Sequence, residues 1–434
     1  MSDMKITAAS PQIQGLWGNQ NFIKLWISQT ASQFGAQIVL LGIPLLAVYT
    51  LQATPVQMGY LRAAEYLPFL LFGLLAGVFS DRFARKPILV ASNLFRSALL
   101  LLIPVLSFFH SFQFVHLLVI AFLFGICTVL FDVFYVPYLP ILVQREQLAD
   151  GNGKLQISAS IAVIAGPGLT GLLMELLSGT TTMLFSILMF LCSAASLLWI
   201  RHREMVPVIT RTDKKKLSRE IQEGFAYIYR QPFIQTFTRC AVLWNLAWYS
   251  YITVFILFMT ANLHLKAATT GFIFAFLGIG SLLGALFSKQ LASRFGVGKA
   301  TLFTAVLAAA GSPFVLLVTG DSPLDIALLS TGQLLFGLGT TSYNIHATSL
   351  RQYITPIELQ GKVNATIRFL TWGINPVGSL VGGFLGECVG LVGTLAISSI
   401  GFFIAVGSLF FSRLYRMNTL ADFDHSQSAT SPHT

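Results

Sequence analysis

The sequence predicts an all-helical integral membrane protein in which twelve transmembrane helices form two pseudo-symmetric six-helix bundles. Three observations support this fold class. First, only 10% of the residues are charged and 55% are hydrophobic, whereas a soluble domain has about 25% charged residues. Second, the apolar residues fall in long runs, and about 20 apolar residues suffice to cross a bilayer as a helix. Third, the two halves of the chain repeat each other's landmark residues.

Twelve apolar runs are the candidate spans. The first six cover residues 22–49, 58–80, 88–108, 114–139, 154–177 and 182–200. The second six cover residues 234–261, 269–291, 300–319, 324–350, 359–386 and 391–411. We therefore predict a tail over 1–21, an N-terminal bundle over 22–200, a central loop over 201–233, a C-terminal bundle over 234–412 and a tail over 413–434. The first run has no obvious cleavage site, so we interpret it as a span and not as a signal peptide.

The repeat aligns the two halves at one constant offset. The matching pairs are Arg82 with Arg294, Phe124 with Phe336, Asn152 with Asn364, and Gly166 with Gly378. A duplicated six-helix unit is typical of secondary transporters, which bind their substrate between the halves near the bilayer midplane. The second copy departs from the first at one point, because Ser293 stands where the first copy has Asp81.

Basic residues concentrate in alternate connections between the predicted spans. Arg82, Arg85 and Lys86 follow the second span and residues 214–216 are all lysine, whereas the intervening connections carry chiefly Lys266 and several acids. The positive-inside rule then places both termini and the central loop in the cytoplasm. We expect a multi-pass monomer in a bacterial inner membrane, surrounded by lipid. The net charge of +10 thus reports topology, and we predict no nucleic-acid partner.

Part of the central loop has helical spacing. Leu217, Ile221, Phe225 and Ile228 recur at intervals of three or four residues after the basic start of this segment. A short amphipathic helix on the inner membrane surface would have this pattern. A plain linker helix would have it too, and both interpretations remain open.

Several polar residues inside the predicted spans are candidates for a substrate cavity, because polar side chains in hydrocarbon should face a cavity or another helix. Gln29, Gln33 and Gln37 share one face of the first span; hydrogen bonds between helices are the alternative explanation. The later spans contribute aromatic residues with amide neighbours, a combination that suits a bulky, partly apolar ligand. These are Asn245, Trp248, Tyr249, Tyr343, Asn344 and Asn375. We interpret the nearby Tyr251 as an anchor at the bilayer interface.

Two carboxylates inside the spans are candidates for coupling. Glu65 lies one turn from Arg62, so it forms either an ion pair or a group that carries protons. Asp132 has no cation nearby on its own helix and needs protonation or a partner from another helix. The candidate partners are Arg96, Arg239 and Arg368. No metal ligand set is evident, because the four cysteines, Cys127, Cys192, Cys240 and Cys388, lack metal-ligand spacing, and we predict no cofactor.

The charged segment between the second and third spans carries a family resemblance. Residues 77–87 read Gly-Val-Phe-Ser-Asp-Arg-Phe-Ala-Arg-Lys-Pro. This segment resembles the loop-2/3 signature of the major facilitator superfamily, with Ala84 in place of the usual glycine. The resemblance implies a gating motif formed by Gly77, Asp81, Arg82, Arg85 and Lys86. It also implies that Asp81 binds near the start of the eleventh helix and keeps the cytoplasmic face closed.

Further segments resemble exporters of that superfamily. Gly153, Gly166, Pro167 and Gly171 resemble the fifth-helix motif of drug:proton antiporters. Glycine and proline permit a kink and close backbone approach there, so we expect an exporter-type kink. Ala121, however, stands where the fourth helix of those proteins has an arginine. Residues 65–69 and 131–148 resemble a bacterial branch that includes enterobactin exporters and macrolide efflux proteins. The resemblance implies export of a small, amphipathic drug, macrolide-like compound or siderophore by alternating access, with proton antiport.

Other functions remain open alongside export. A metabolite importer or uniporter and a lysolipid flippase would share the fold. A polytopic membrane enzyme is the alternative from a different class, and we predict that the protein is not an enzyme. The chain has no phosphate-binding loop of the G-x4-G-K-[ST] kind, so ATP is not the expected driving force.

Overall fold

A computed structural model describes residues 16–80, 83–201, 204 and 214–410. Twelve long helices of this part correspond one to one with the predicted spans. In the first half they are α1 Gln20–Leu51, α2 Pro55–Ser80, α3 Arg85–Phe108, α4 Phe114–Tyr135, α5 Leu148–Leu176 and α6 Gly179–Leu198. In the second half they are α7 Pro232–Leu257, α8 Ala267–Phe295, α9 Val297–Gly311, α10 Pro323–Ile354, α11 Ile357–Cys388 and α12 Gly390–Phe410.

The helix ends differ from the prediction where local chemistry intervenes. The fourth predicted span continues to residue 139, but α4 ends at Tyr135, because Pro137 and Pro140 lack the N–H that a continuing helix needs. Helix α5 begins earlier than predicted, at Leu148, and its polar first turns include an ion pair between Lys154 and Asp150.

Nine helical stretches of the described residues are long and apolar enough to cross a bilayer. The other three long helices, α2, α10 and α11, do not meet that measure of length and apolar composition. Helices α10 and α11 have 32 residues each, so length does not prevent them from spanning. The two bundles of six helices confirm the predicted fold class.

A helix in the central loop connects the two halves. This connector helix, Lys214–Arg230, packs on α11, where a β-carbon at Gly224 would overlap the Thr366 hydroxyl. Lys362 of α11 is paired with Glu223 at 2.6 Å. The Tyr227 hydroxyl donates to the carbonyl of Ile354 at 3.1 Å, and burial raises the pKa of Tyr227, which keeps this donor protonated. The connector helix therefore belongs structurally to the C-terminal half.

The side of the molecule that holds the connector helix is called the connector face here, and the other side the opposite face. The halves pack together mainly through α2 against α11 and α5 against α8. Near the opposite face these pairs reach backbone contact. A β-carbon at Gly171 would overlap the carbonyl oxygen of Ala267, and one at Gly271 would overlap that of Pro167. Glycine is required at these crossings because any larger residue would force the helices apart.

Candidate functional site

A gap between the two halves opens toward the connector face. Ile164 of α5 touches Gly278 of α8 at mid-depth. One and two turns nearer the connector face, on the same side of α5, Ile161 and Ile157 are 51% and 62% exposed. Leu282 continues the facing stripe of α8 and is 41% exposed. The two helices therefore diverge below their mid-depth contact and leave a space that is open at one end.

A pocket of about 310 Å³ lies in the C-terminal half among α7, α8 and α10. Aromatic rings and uncharged polar groups form its wall. Its lining includes the predicted residues Asn245, Trp248, Tyr249, Tyr343 and Asn344. Trp244 and Phe336 complete the aromatic part, and the rings of Trp248 and Phe336 are stacked with centroids 4.7 Å apart. The structure thus brings five of the predicted cavity residues together.

The remaining predicted cavity residues lie elsewhere. Asn375 of α11 is buried, and its side-chain oxygen has no hydrogen-bond partner in the described residues. Gln29 is buried with an unpartnered oxygen, and Gln33 is partly exposed. Gln37 packs against Gly166 of α5. The glutamine face of α1 is therefore partly helix-packing surface and partly polar surface without a protein partner.

The interpretation of Tyr251 as a bilayer-interface anchor is wrong. This side chain is only 3% exposed. Its ring stacks on Phe255 at 5.1 Å and contacts Phe402 of α12 at 6.1 Å. Tyr251 belongs to the apolar core of the C-terminal half, where neighbouring aromatic rings provide more contact area than the interface would.

A buried ion pair of α2 lies beside a contact between the two halves. Arg62 and Glu65 form a buried ion pair at 2.9 Å, with side chains 5% and 15% exposed. The next residue, Tyr66, contacts Tyr249 of α7, with ring centroids 4.7 Å apart. The predicted ion pair thus exists, and it lies beside a direct contact between the two halves.

Asp132 is exposed and has no ion pair in the described part of the chain. Of the three candidate partners, Arg96 is the one whose charge acts on Asp132. Arg96 is only 2% exposed, and its guanidinium lies 4.8 Å from the Phe131 ring and 3.3 Å from the Ser32 hydroxyl. Arg239 and Arg368 are exposed and belong to the other half.

The exporter-type motif on α5 takes part in helix packing. Gly166 lies against α1, while Pro167 and Gly171 contact α8. By contrast, a β-carbon at Gly153, nearer the connector face, would have no atom within 4 Å. Close approach to neighbouring helices is therefore present at the opposite-face end of the motif and absent at the connector-face end.

The gating motif is only partly visible. Gly77 lies in α2, whereas Asp81 and Arg82 lie outside the described residues, so the contact of Asp81 with α11 stays a prediction. The backbone N–H groups of Arg85 and Lys86 donate to the carboxylate of Glu204 at 2.5 and 2.8 Å. The Lys86 ammonium donates to the carbonyls of Leu198 and Ile200 at 3.0 and 2.7 Å. Arg85 and Lys86 are thus held within the N-terminal half.

A set of contacts that sequence reasoning did not single out closes the opposite face. We call it the clasp: Tyr49, Glu175, Leu265, Lys266 and Ala268. The Glu175 carboxylate accepts the Ala268 N–H at 3.2 Å and lies 3.7 Å from the Lys266 ammonium. The Tyr49 hydroxyl donates to the Leu265 carbonyl at 2.7 Å. Every one of these contacts joins the N-terminal half to the C-terminal half, beside a cavity of about 530 Å³.

Local sequence explains the clasp. Helix α8 starts after Lys266, whose side chain cannot accept a hydrogen bond from the first N–H groups of the helix. Glu175 fills that role from another helix, and a carboxylate is favourable at the positive end of a helix dipole. The available signal was the meeting of opposite charges, because Glu175 lies at the end of the fifth predicted span and Lys266 follows the seventh, on the same side of the membrane.

The protein has two helical bundles, a gap between them that is open at one face, and an aromatic pocket in the C-terminal half. This arrangement is that of a membrane transporter. A family model described as Major Facilitator Superfamily matches residues 25–376, and the chain belongs to this family. The resemblance drawn from residues 77–87 is thus confirmed. No group of three or more His, Cys, Asp or Glu side chains that could hold a metal ion occurs within the described ranges.

Relatives of this chain include efflux proteins. It is 26% identical over 368 residues to the multidrug efflux pump Tap of Mycolicibacterium fortuitum, which covers 82% of this chain and 87% of the relative. It is 26% identical over 167 residues to macrolide efflux protein A of Enterococcus faecalis, which covers 38% of this chain and 50% of that protein.

Among solved structures, a bacterial homologue of the iron transporter ferroportin matches in two states. In its inward-facing state the TM-score is 0.72 at 14% identity, covering 92% of this chain and 99% of the other. In its outward-facing state the TM-score is 0.57 at 15% identity, covering 90% and 98%. At this identity the match shows the fold alone.

Proposed function

We propose that the protein exports a small amphipathic molecule by alternating access. The observation that carries this proposal is the pocket of about 310 Å³ beside a gap that is open at one face. Its wall of tryptophan, tyrosine and phenylalanine rings with a few amides suits a ligand with a bulky apolar body and a polar group. The similarity to the multidrug efflux pump Tap supports export over import.

The connector face is the cytoplasmic side in this proposal. The basic central loop supports this orientation through the positive-inside rule, and it places both termini in the cytoplasm of a bacterial inner membrane. The better match to the inward-facing ferroportin homologue supports an inward-open state. A substrate would then enter the gap from the cytoplasm or the inner leaflet.

We propose proton antiport as the driving force, with the Arg62–Glu65 pair as the coupling site. The pair is buried beside the Tyr66–Tyr249 contact between the halves, so a change in its charge state would alter that contact directly. Ionisable groups inside a membrane domain often mark proton pathways. Asp132, exposed and attracted by the charge of Arg96, is the second coupling candidate.

Transport in everted membrane vesicles tests direction and coupling together. Export in cells corresponds to uptake by everted vesicles, and we expect the protein to accumulate a fluorescent amphipathic dye there when the proton gradient is present. Collapse of the gradient should abolish this accumulation. Accumulation that persists unchanged would rule out proton coupling, and movement only in the other direction would favour an importer.

A double substitution separates coupling from structure at the ion pair. Glu65→Gln alone leaves a buried guanidinium unpaired, which costs about 3–5 kcal/mol, so its loss of transport would be ambiguous. Replacing both partners, with Arg62→Met and Glu65→Leu, removes both charges and preserves the packing. If the pair couples transport to protons, the double variant folds but does not transport against a gradient; if its role is structural, the double variant transports normally.

A further inference from the structure

The charges embedded in the N-terminal half are balanced. Glu65 is paired with Arg62 at 2.9 Å. Asp132 is attracted by Arg96, which is itself surrounded by aromatic rings. Each carboxylate deep in this half therefore has a guanidinium that compensates its charge.

The charges of the C-terminal half are not balanced. Between residues 234 and 410 the acids lie in a loop or near the ends of helices. They are Asp321, Asp325, Glu358 and Glu387. Arg239 and Arg368 lie inside α7 and α11, whereas Arg351 lies in the last turn of α10, and none of the three has an ion pair in the part of the chain that the structure describes. Arg351 and Arg368 moreover repel each other. This half therefore carries uncompensated arginines inside α7 and α11, and a further one at the connector-face end of α10.

Arg368 faces the gap between the halves. It lies about 16 Å along α11 from the helix start, at 1.5 Å per residue. Its guanidinium lies 5.5 Å from the Trp372 ring, and that ring contacts Phe69 of α2, in the other half, at 5.3 Å. The stripe of α11 that carries Arg368 and Trp372 therefore points toward the N-terminal half, and Arg368 lies where the two halves have separated.

A guanidinium inside a membrane domain is costly without a carboxylate, and among the described residues Arg368 has only a second guanidinium, that of Arg351, acting on it from the end of α10. A planar guanidinium held on an aromatic ring can form two parallel hydrogen bonds to a carboxylate, sulfonate or phosphate. The aromatic pocket lies on the same helix as Arg351, because Tyr343 lines the pocket and Arg351 follows about two turns later in α10. An anionic group and an apolar body are thus both accommodated on the same half.

We propose that Arg368, with Arg351 beside it, binds the acidic group of an anionic amphiphile whose apolar body occupies the aromatic pocket. This inference rests on the proposed function and narrows the substrate class to organic anions. A cationic amphiphile would bring its charge against two arginines.

Binding of two matched probes tests the proposal without requiring transport. 8-Anilinonaphthalene-1-sulfonate and N-phenyl-1-naphthylamine share their rings, and only the first is an anion. Their affinities are measured by equilibrium dialysis with the purified protein in phosphatidylcholine nanodiscs, with empty nanodiscs subtracted. We expect the sulfonate to bind the wild-type protein about tenfold more tightly than the neutral probe, since a hydrogen bond to a charged group is worth that ratio or more.

Substitutions test whether Arg368 produces the preference for the sulfonate over the neutral probe. Arg368→Gln should weaken sulfonate binding about tenfold and leave the neutral probe unchanged, which also shows that the pocket is intact. Arg368→Lys should give an intermediate loss because it keeps the charge without the planar fork. Lys299→Gln removes the same charge from an exposed position in the first turn of α9 and should change neither affinity.

Equal affinities of the wild-type protein for the two probes would overturn the proposal, as would equal losses in Arg368→Gln and Lys299→Gln. If Arg368→Gln weakens the binding of both probes, Arg351→Gln is measured instead. The proposal is overturned if Arg351→Gln does not weaken the binding of the sulfonate more than that of the neutral probe. Competition identifies the source of the anion: displacement of the sulfonate by 2-naphthoate indicates a free organic acid, and stronger displacement by lysophosphatidylglycerol indicates a lipid. Displacement by neither contradicts the proposal. Because the vesicle assay is separate, failure of export leaves this binding result interpretable.

Discussion

The connector face and the opposite face are bordered by the same two helix pairs, α2 with α11 and α5 with α8, but only the opposite face is held closed. There, glycines bring backbones into contact and the clasp adds polar contacts between the halves. Toward the connector face, the stripes that would meet carry exposed isoleucine and leucine. The difference indicates that the closure of a face depends more on how closely its two helices can approach than on which helices are paired.

The two faces also differ in the kind of group that could hold them. At the opposite face, the Glu175 carboxylate lies at the start of α8. At the connector face, family resemblance assigns the corresponding role to Asp81 at the start of α11, and that contact stays a prediction. If the Asp81 contact forms as the Glu175 contact does, each face is closed by a carboxylate of one half that binds at the start of a helix in the other half. Such a device suits a two-state protein because only one contact needs to exist at a time.

The largest expected effect is at the glycine crossing of the opposite face. Gly171→Ala would place a methyl group into the Ala267 carbonyl, and overpacking of this kind costs about 1–3 kcal/mol. We expect the closed state of that face to be weakened and dye accumulation in vesicles to fall at least tenfold. The matched control is Gly168→Ala in the same helix, where a β-carbon has no atom within 4 Å. Equal activity of the two variants would show that the crossing does not control closure.

A smaller effect is expected at the connector face. Gly153→Leu meets no atom within 4 Å of its β-carbon in this state, so the variant should fold and bind probes normally. The added side chain would obstruct α5 and α8 when that face closes, and transport should fall while thermal stability stays at the wild-type value. A loss of thermal stability together with transport would contradict this account, because it would show that Gly153 is already packed against another helix in the state described here.

The smallest of these effects is expected at the clasp. Glu175→Gln keeps an acceptor for the Ala268 N–H but removes the charge at the helix start, which is worth about 0.3–1 kcal/mol. A cysteine at Ala267, buried under the clasp, should then react about two- to fivefold faster with a membrane-impermeant maleimide. Glu387→Gln provides the control, because Glu387 is an exposed acid near the same face. Equal labelling rates in both variants would remove the clasp from the mechanism.

The sequence predicted the helices well and the site in part. Spans follow from apolar runs, which local composition determines, and the Arg62–Glu65 pair follows from spacing on one helix. Tyr251 was misassigned because a tyrosine suits both a bilayer interface and an aromatic core, and only packing partners on α12 distinguish these. The role of Glu175 does not follow from local patterns, because its partners lie at the start of a helix in the other half. The partner of Asp132 depended on helix arrangement for the same reason.

Distances at both faces in the same protein test the central claim most directly. Spin labels at Ile157 and Lys289 report the connector face, and labels at Leu177 and His264 report the opposite face, in a chain whose four native cysteines are replaced by alanine. Double electron–electron resonance is recorded in nanodiscs with and without Glu175→Gln. The account predicts that the substitution lengthens the distance at the opposite face and, in the same fraction of molecules, shortens the distance at the connector face. A change at one face with no change at the other would contradict it.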